Sequence, residues 1–380
     1  MMPPLEGIRV LDLSTLLPGP LCTLLLADAG AEVIKIERPG RGDEMRSYEP
    51  RFGGDSANFA LLNRRKRSLA LDLKQPDDRA AFLELVATAD VLVEQFRPGV
   101  MQRLGLDPAA LARVNPRLVY CSITGYGQHG PLAEVAAHDL NYLAQSGMLG
   151  LSAGADGTPP LPQALVADIA GGCYPAVMNI LLALRQRDAT GTGCHLDVAM
   201  ADNLFTLMYW GLAEGQATGR WPQAGRGLVT GGTPRYQVYA TRDGRHLAVA
   251  PLEDKFWHAF LQIIEAPRLE DPALDPQATR DAVAHAIAQR TADEWLRRFE
   301  GRDVCVALVA TLEEAVAHPH FRARGLFERR VRNADGAEIA ALPLPVDARF
   351  RAGGTSASYP SLGEARPQEF ADTPGAERFR

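Results

Sequence analysis

The 380-residue chain has only five cysteines, Cys22, Cys121, Cys173, Cys194 and Cys305, and no two of them lie at C-x-x-C spacing. An odd count at wide separations excludes a disulfide framework and a cysteine metal knuckle. Four of the five sit in apolar stretches, so they read as reduced, core-filling side chains in a reducing, cytoplasmic setting. Positive charge is not in excess. Lys plus Arg number 40 against 46 Asp plus Glu, for a net charge of −6, which speaks against a nucleic-acid or anionic-membrane binder. Long apolar runs are missing too. The most apolar stretch, 172–184, carries Asn179 and stops at Arg185, short of the roughly 20 residues a bilayer span needs. Glu6, Arg9 and Asp12 precede any apolar run, the wrong order for a secretory signal. Between Leu13 and Leu21 there is a single glycine, Gly19, between two prolines. The G-x-G-x-x-G turn of a dinucleotide site is therefore absent, although Glu37 ends the second strand where a ribose partner would sit. There is no phosphate-binding G-x-x-x-x-G-K-[ST], and no H-x-x-x-H or similar pair, so neither triphosphate hydrolysis nor a metal centre is expected.

What is present is ordinary globular material, 46% apolar and 23% charged, with 35 glycines and 27 prolines scattered rather than repeated. Strand-like and helix-like segments alternate through the first half. Strands are predicted over 8–13, 32–37, 68–73, 91–96 and 118–123, with helices over 21–29, 77–89 and 108–114. Such alternation implies parallel pairing with right-handed crossovers, an open α/β sheet. Helices follow over 139–150, 167–187 and 201–213, with a strand at 195–198. Residues 214–232 are rich in glycine and read as a connecting segment. A hairpin over 236–250, a helix over 253–264 and two more within 278–299 predict a smaller α+β domain. A last hairpin is predicted over 327–342, and the tail after Arg351 is expected to drape over a surface. The expected organisation is 1–213 as a large domain, 214–232 as a linker, 233–320 as a small domain and 321–380 as a return to the large one.

Several residues stand out chemically, each with a bland alternative. Asn63-Arg64-Arg65-Lys66-Arg67 is either a solvated loop or part of a polyanion site with Lys74. Arg38 and Arg97 end two strands, at the edge where open α/β sheets gather ligands. His138-Asp139-Leu140-Asn141-Tyr142 is a polar cluster ahead of an apolar helix, and either of its first two residues suits a helix N-cap. Asp168 opens the 167–187 helix, either as a first-turn acid or as a carboxyl beside backbone donors able to hold an oxyanion. Glu253 precedes another helix and has the same bland explanation.

Taken in order, these segments resemble a known family. They are L-E-G-I-R-V-L-D-L (5–13), P-G-P (18–20), L-A-D-A-G-A-E-V-I-K-I-E-R-P (26–39), N-R-R-K-R-S-L-A-L-D-L-K (63–74), F-R-P-G-V (96–100), I-T-G-Y-G-Q-H-G-P (123–131) and G-T-G-C-H-L-D-V-A-M-A-D (191–202). The pattern resembles the family III (CaiB/BaiF-type) CoA-transferases over nearly the whole chain. That resemblance implies a Rossmann-like large domain built from both ends of the sequence, a smaller central α+β domain, and an interlocked homodimer. It implies an acyl-CoA thioester as substrate, with coenzyme A entering as part of it and no prosthetic group. By position, Arg38 and Arg97 match CoA-phosphate contacts, and Leu71, Asp72, Leu73 and Lys74 match the adenosine site. Tyr126 and Gly127 fall in the CoA-binding set, and Asp168 matches the catalytic aspartate.

Within the family, H-D-L-N-Y resembles the α-methylacyl-CoA racemase branch, whose His is a base supported by a Glu at the position of Glu253. Gly231-Gly232-Thr233-Pro234 resembles that branch as well. The expected activity is racemisation of a 2-methylacyl-CoA by 1,1-proton transfer, with His138 and Glu253 serving one face of the α-carbon and Asp168 the other. The N-terminus of the Asp168 helix is expected to hold the enolate oxygen. The alternative is a CoA-transferase in which Asp168 becomes an aspartyl-CoA thioester; a catalytically silent CoA-binding subunit is the third reading. Residues 149–162 do not identify the acyl chain.

Overall fold

The computed structural model describes residues 2–152, 157–271 and 273–370. Strands β1 (Arg9–Asp12) and β2 (Glu32–Glu37) are followed by a small hairpin, β3 (Arg51–Phe52) with β4 (Asp55–Ser56). Then come β5 (Lys66–Ala70), β6 (Val91–Glu94), β7 (Val119–Thr124) and β8 (His195–Ala199). Six of these form one parallel sheet in the order β5-β2-β1-β6-β7-β8. Every residue of β1, β6 and β7 is buried, as expected for strands covered by helices on both faces. The order reverses between β1 and β6, so a crevice opens at their carboxyl ends. The mixed α/β class with a large parallel sheet is as the sequence predicts.

Local departures have local causes. The first helix runs Pro18–Asp28, starting three residues earlier than expected. A proline at the first helical position gives up an N–H that has no partner there anyway. Strand β5 starts at Lys66, ahead of the predicted 68, and carries part of the basic run into the sheet. The predicted 139–150 helix is two, Asp139–Gln145 and Met148–Leu151, interrupted at Gly147 with φ +87°. The 167–187 helix is a continuous helical run, Ala167–Thr190, of 24 residues. By length and composition it is sufficient to cross a bilayer, longer than the 172–184 core suggested. Its first seven residues, Ala167–Cys173, are π-helical, a widening often seen at functional sites. A Cβ on Gly171 would stand 2.3 Å from the Met200 carbonyl oxygen, so only glycine allows this approach.

The chain divides into two compact units, one of 1–146, 162–207 and 322–380, the other of 147–161 and 208–321. The boundary falls between the helices Met200–Leu207 and Tyr209–Thr218. Residues 214–218, expected in a connecting segment, are therefore helical. In the second unit, β9 (Gln237–Ala240) and β10 (His246–Val249) form the expected hairpin. A short strand not foreseen, β11 (Val306–Leu308), pairs with the other edge of β10. Its core stacks Trp257, Phe260, Phe299 and Trp295, with successive ring centroids 5.5, 6.0 and 5.7 Å apart.

The C-terminal segment returns to the first unit. The predicted hairpin is β12 (Arg330–Arg332) with β13 (Glu338–Ala340). The tail does more than drape. Strand β14 (Ser356–Ser358) pairs in parallel with β12, and Phe370, 1% exposed, joins the core under the large sheet. Arg9 Nη1 donates to the Phe370 carbonyl at 3.1 Å. Residues 371–380 of the expected tail lie outside the described residues, as do 153–156 of the 149–162 stretch.

Candidate active site

A cleft of about 370 Å³ opens at the carboxyl edge of the parallel sheet. It is lined by Thr15 and Leu16 after β1, Gln95 to Pro98 after β6, Ile123 to Tyr126 at the end of β7, His138, Asn141, Tyr142, Asp168 and Met200. The sequence builds these walls with local devices. Gly19 N–H donates to Gln95 Oε1 at 3.0 Å, tying the first helix to the loop after β6. A Cβ on Gly125 would stand 2.5 Å from the Tyr142 ring, so glycine there lets that ring close on the β7 turn. Tyr126 and Tyr142 meet edge to face at 5.1 Å, and the Tyr142 hydroxyl donates to the Ala137 carbonyl at 2.9 Å. His138 is the N-cap residue of Asp139–Gln145, and its backbone N–H donates to Asn141 Oδ1 at 3.0 Å. The capping bond thus comes from Asn141, while exposed His138 lines the cleft.

Asp168 sits in the first turn of the π-helical segment. Burial, with the Asp139 charge adding to it, pushes its carboxyl up to about 7. A neighbouring Asp139, 5% exposed, receives the Asp168 backbone N–H at Oδ1, 3.0 Å away. It also receives the Ala167 N–H, while Ile169 N–H goes to the Leu165 carbonyl. This corrects one expectation: the donors at this helix N-terminus are already satisfied, and they are not free to hold an enolate oxygen.

A second cleft of about 600 Å³ lies beside β2 and β5 and is lined by Arg38, Leu71, Asp72, Leu73, Lys74, Phe96, Val100 and Arg103. The structure thus gathers Arg38 with 71–74, the group the resemblance assigns to CoA. Phe96 lines both clefts, and Arg97 lines the first. Among the described residues neither Arg38, Lys74 nor Arg97 makes an ion pair, so their charge is open to a ligand. Gly127, expected with Tyr126 in the CoA set, lines neither cleft. It turns the chain at φ +82° over Ala199 and Asp197. Glu253 belongs to the other unit, where it is the exposed N-cap residue of Asp254–Ile263 and makes no side-chain capping bond.

The basic run is a second correction. Lys66 Nζ is fully buried and bonds Asp12 Oδ2 at 3.0 Å, the Pro20 carbonyl at 2.8 Å and Asn63 Oδ1 at 2.8 Å. Arg64 and Arg65 approach Asp28 at 3.8 and 3.7 Å, and Arg67 pairs with Glu369. Arg64, Arg65 and Lys66 are committed to partners within the fold and Arg67 to an exposed pair, and none of the four lines the cleft that holds Arg38 and Lys74. Sequence reasoning missed Gln95, Phe96 and Asn141 as cleft residues. For Gln95 and Phe96 the available signal was their position just past an apolar strand, beside Arg97.

The comparisons with known proteins come to the same place. The family described as CoA-transferase family III matches residues 5–366. The chain is 39% identical to human alpha-methylacyl-CoA racemase over 331 residues, 85% of this chain and 82% of that protein. It is 37% identical to the acetyl-CoA:oxalate CoA-transferase of Acetobacter aceti over 333 residues, 85% of each chain. A CAIB/BAIF family protein from Brucella suis superimposes with a TM-score of 0.82 at 30% identity, covering 96% of this chain and 97% of that one. An acyl-CoA enzyme fold, an open cationic cleft beside a carboxyl-imidazole cleft, and a match running almost end to end agree: this chain belongs to CoA-transferase family III.

Proposed function

We propose that the protein racemises or epimerises a 2-methylacyl-CoA by removing the proton at the thioester α-carbon and returning it to the opposite face. The observation that carries this reading is that one cleft holds both His138 and an Asp168 carboxyl pushed up to about 7. A group that titrates near neutrality both gives and takes a proton at working pH. In one direction the His138 imidazole removes the proton, the electron pair delocalises into the thioester as an enolate, and the Asp168 carboxyl reprotonates the other face. In the reverse direction the roles exchange. The CoA moiety is held by Arg38 and Lys74, whose free charges suit phosphates. Tyr126 and Arg97 border the thioester end. For Glu253 the support is the resemblance together with an exposed carboxylate uncommitted to its helix cap.

The second reading is CoA transfer between carboxylic acids through an aspartyl-CoA thioester on Asp168. Its support is the 37% identity to an acetyl-CoA:oxalate CoA-transferase. Incubation of a chiral 2-methylacyl-CoA in D2O without an acceptor acid separates the two. The racemase incorporates deuterium at the α-carbon. No label, with CoA transfer once a free carboxylic acid is added, selects the transferase.

We also assign an intertwined homodimer. Tyr174, Met178, Leu181 and Leu182 share one face of the Tyr174–Thr190 helix and are 43, 57, 43 and 61% exposed, an apolar stripe of the kind subunit interfaces cover. A reducing, cytoplasmic setting agrees with five free cysteines, three of them buried. Sedimentation giving a monomer at micromolar concentration would remove the dimer.

A further inference from the structure

Asp139 has no role in the reaction just described, yet its carboxylate bonds the backbone of Asp168. It is 5% exposed and has no cationic partner among the described residues. Its carboxylate receives the backbone N–H groups of Ala167 and Asp168. Asp139 itself is the first residue of Asp139–Gln145, directly after His138. One buried side chain therefore joins the turn carrying His138 to the turn carrying Asp168.

Two acids in unequal surroundings divide protons unequally. Burial raises both carboxyls, but two N–H donors counter it at Asp139 and none does at Asp168. Asp139 ionises first, and its charge then opposes ionisation of Asp168. Other titratable groups face the same space: Arg97 from the loop after β6, Tyr126 from the end of β7, and His138 and Tyr142 from the Asp139–Gln145 segment. From the Met200–Leu207 helix, the uncharged Asn203 packs on the same turn, its Nδ2 donating to the Gly171 carbonyl at 2.7 Å. Of all these, only Asp139 places a charge on Asp168.

We propose that Asp139 is a positioning residue whose carboxylate clamps the first turn of the Asp168 helix against the turn carrying His138, and whose negative charge decides which of the two acids holds the proton. The proposal rests on Asp168 acting as the acid-base group of the proposed function, and it adds the residue that tunes it.

The test uses Asp139→Asn, which keeps an acceptor oxygen but loses the charge, and Asp139→Ala, which loses both. Carboxyl carbon NMR of the 13C-aspartate-labelled protein follows Asp168 directly, whichever reaction the enzyme runs. In Asp139→Asn the Asp168 midpoint should fall by about one pH unit, and the pH limb of α-proton exchange should move with it. In Asp139→Ala exchange should fall about 100-fold, the scale of a small misplacement. An unmoved Asp168 midpoint in Asp139→Asn overturns the proposal. If that variant does not fold, Asp168→Asn serves, because coupling is reciprocal: Asp139 must then titrate lower and in one step. An Asp139 curve identical to the wild type overturns the proposal as well. Failure of the proposed function shows separately, as absence of deuterium incorporation by the wild type.

Discussion

Lys66 Nζ lies 3.0 Å from Asp12 Oδ2, and both side chains are sealed from solvent. Asp12 also accepts the Thr23 hydroxyl at 2.6 Å and the Ser14 hydroxyl, and Lys35 Nζ reaches the Ser14 carbonyl at 2.8 Å. The pair therefore anchors the loop that leaves β1 and forms one wall of the cleft holding His138 and Asp168. Burial works against the Asp12 carboxylate, but Lys66 and Lys35 outweigh it and hold it well below the usual carboxylate range.

Removing one member leaves an unpaired buried charge. Lys66→Met should cost about 3–5 kcal/mol in a urea titration, and the double change Asp12→Asn with Lys66→Met should cost less than that single change. The pH dependence follows from the lowered value. The Asp12 contribution is present above its ordinary value of 3.8 and is lost as pH falls below it. Equal unfolding midpoints for Lys66→Met and the wild type would refute this account.

Asp168 near 7 predicts a pH limb near neutrality that the two enantiomers share. In either direction the reacting enzyme holds a single proton between Asp168 and His138, and the equilibrium between enantiomers fixes the ratio of their kcat/KM values at every pH. Initial rates for each pure enantiomer between pH 5 and pH 9, values on the order of the range in which carboxyl and imidazole titrate, should trace the same profile. A profile with no limb near neutrality contradicts it.

His138→Ala should lower α-proton exchange by about 10²–10⁴, the usual worth of a positioned acid-base group. Its backbone N–H bond to Asn141 survives the change, so the melting temperature should barely move. Retained exchange in a folded variant takes His138 out of the mechanism.

Arg38→Ala should raise KM for acyl-CoA with little change in kcat, because the cleft it lines is separate from the one holding Asp168. The effect should shrink when the substrate is an acyl-pantetheine thioester lacking the nucleotide. An equal loss on both substrates would place Arg38 elsewhere.

The sheet is legible in the sequence because β1, β6 and β7 are short apolar runs buried on both faces. His138, Asp168 and Arg38 are legible as residues, since each falls at the end of a predicted element. Lys66 is not. Charged residues suggest solvent, and only the pairing of β5 with β2 shows that Lys66 and Ser68 point inward while Arg67 points out. The π-helical turn is hidden for a different reason. An extra residue per turn leaves an apolar segment just as apolar, and the neighbour this segment packs against at Gly171, Met200, lies about 30 positions away in sequence. β11 and β14 have three residues each, too few for any alternation to register.

The large unit is closed by the last part of the chain: Ala365 N–H donates to the Ser68 carbonyl at 3.0 Å, and Arg46 reaches the Pro360 carbonyl at 3.2 Å. On a ribosome this imposes an order. The segment 208–321 is synthesised whole before 322–370 emerges, so the second unit can finish while the first still exposes the edge of β5 and the hollow filled by Phe370. Contacts spanning some 300 residues are formed last and slowly, and the nascent sheet must wait with apolar surface uncovered. A chaperone would meet this protein at its amino-terminal half, and a ribosome stalled near residue 350 would release a chain in which His138 and Asp168 are present but the sheet is unsealed.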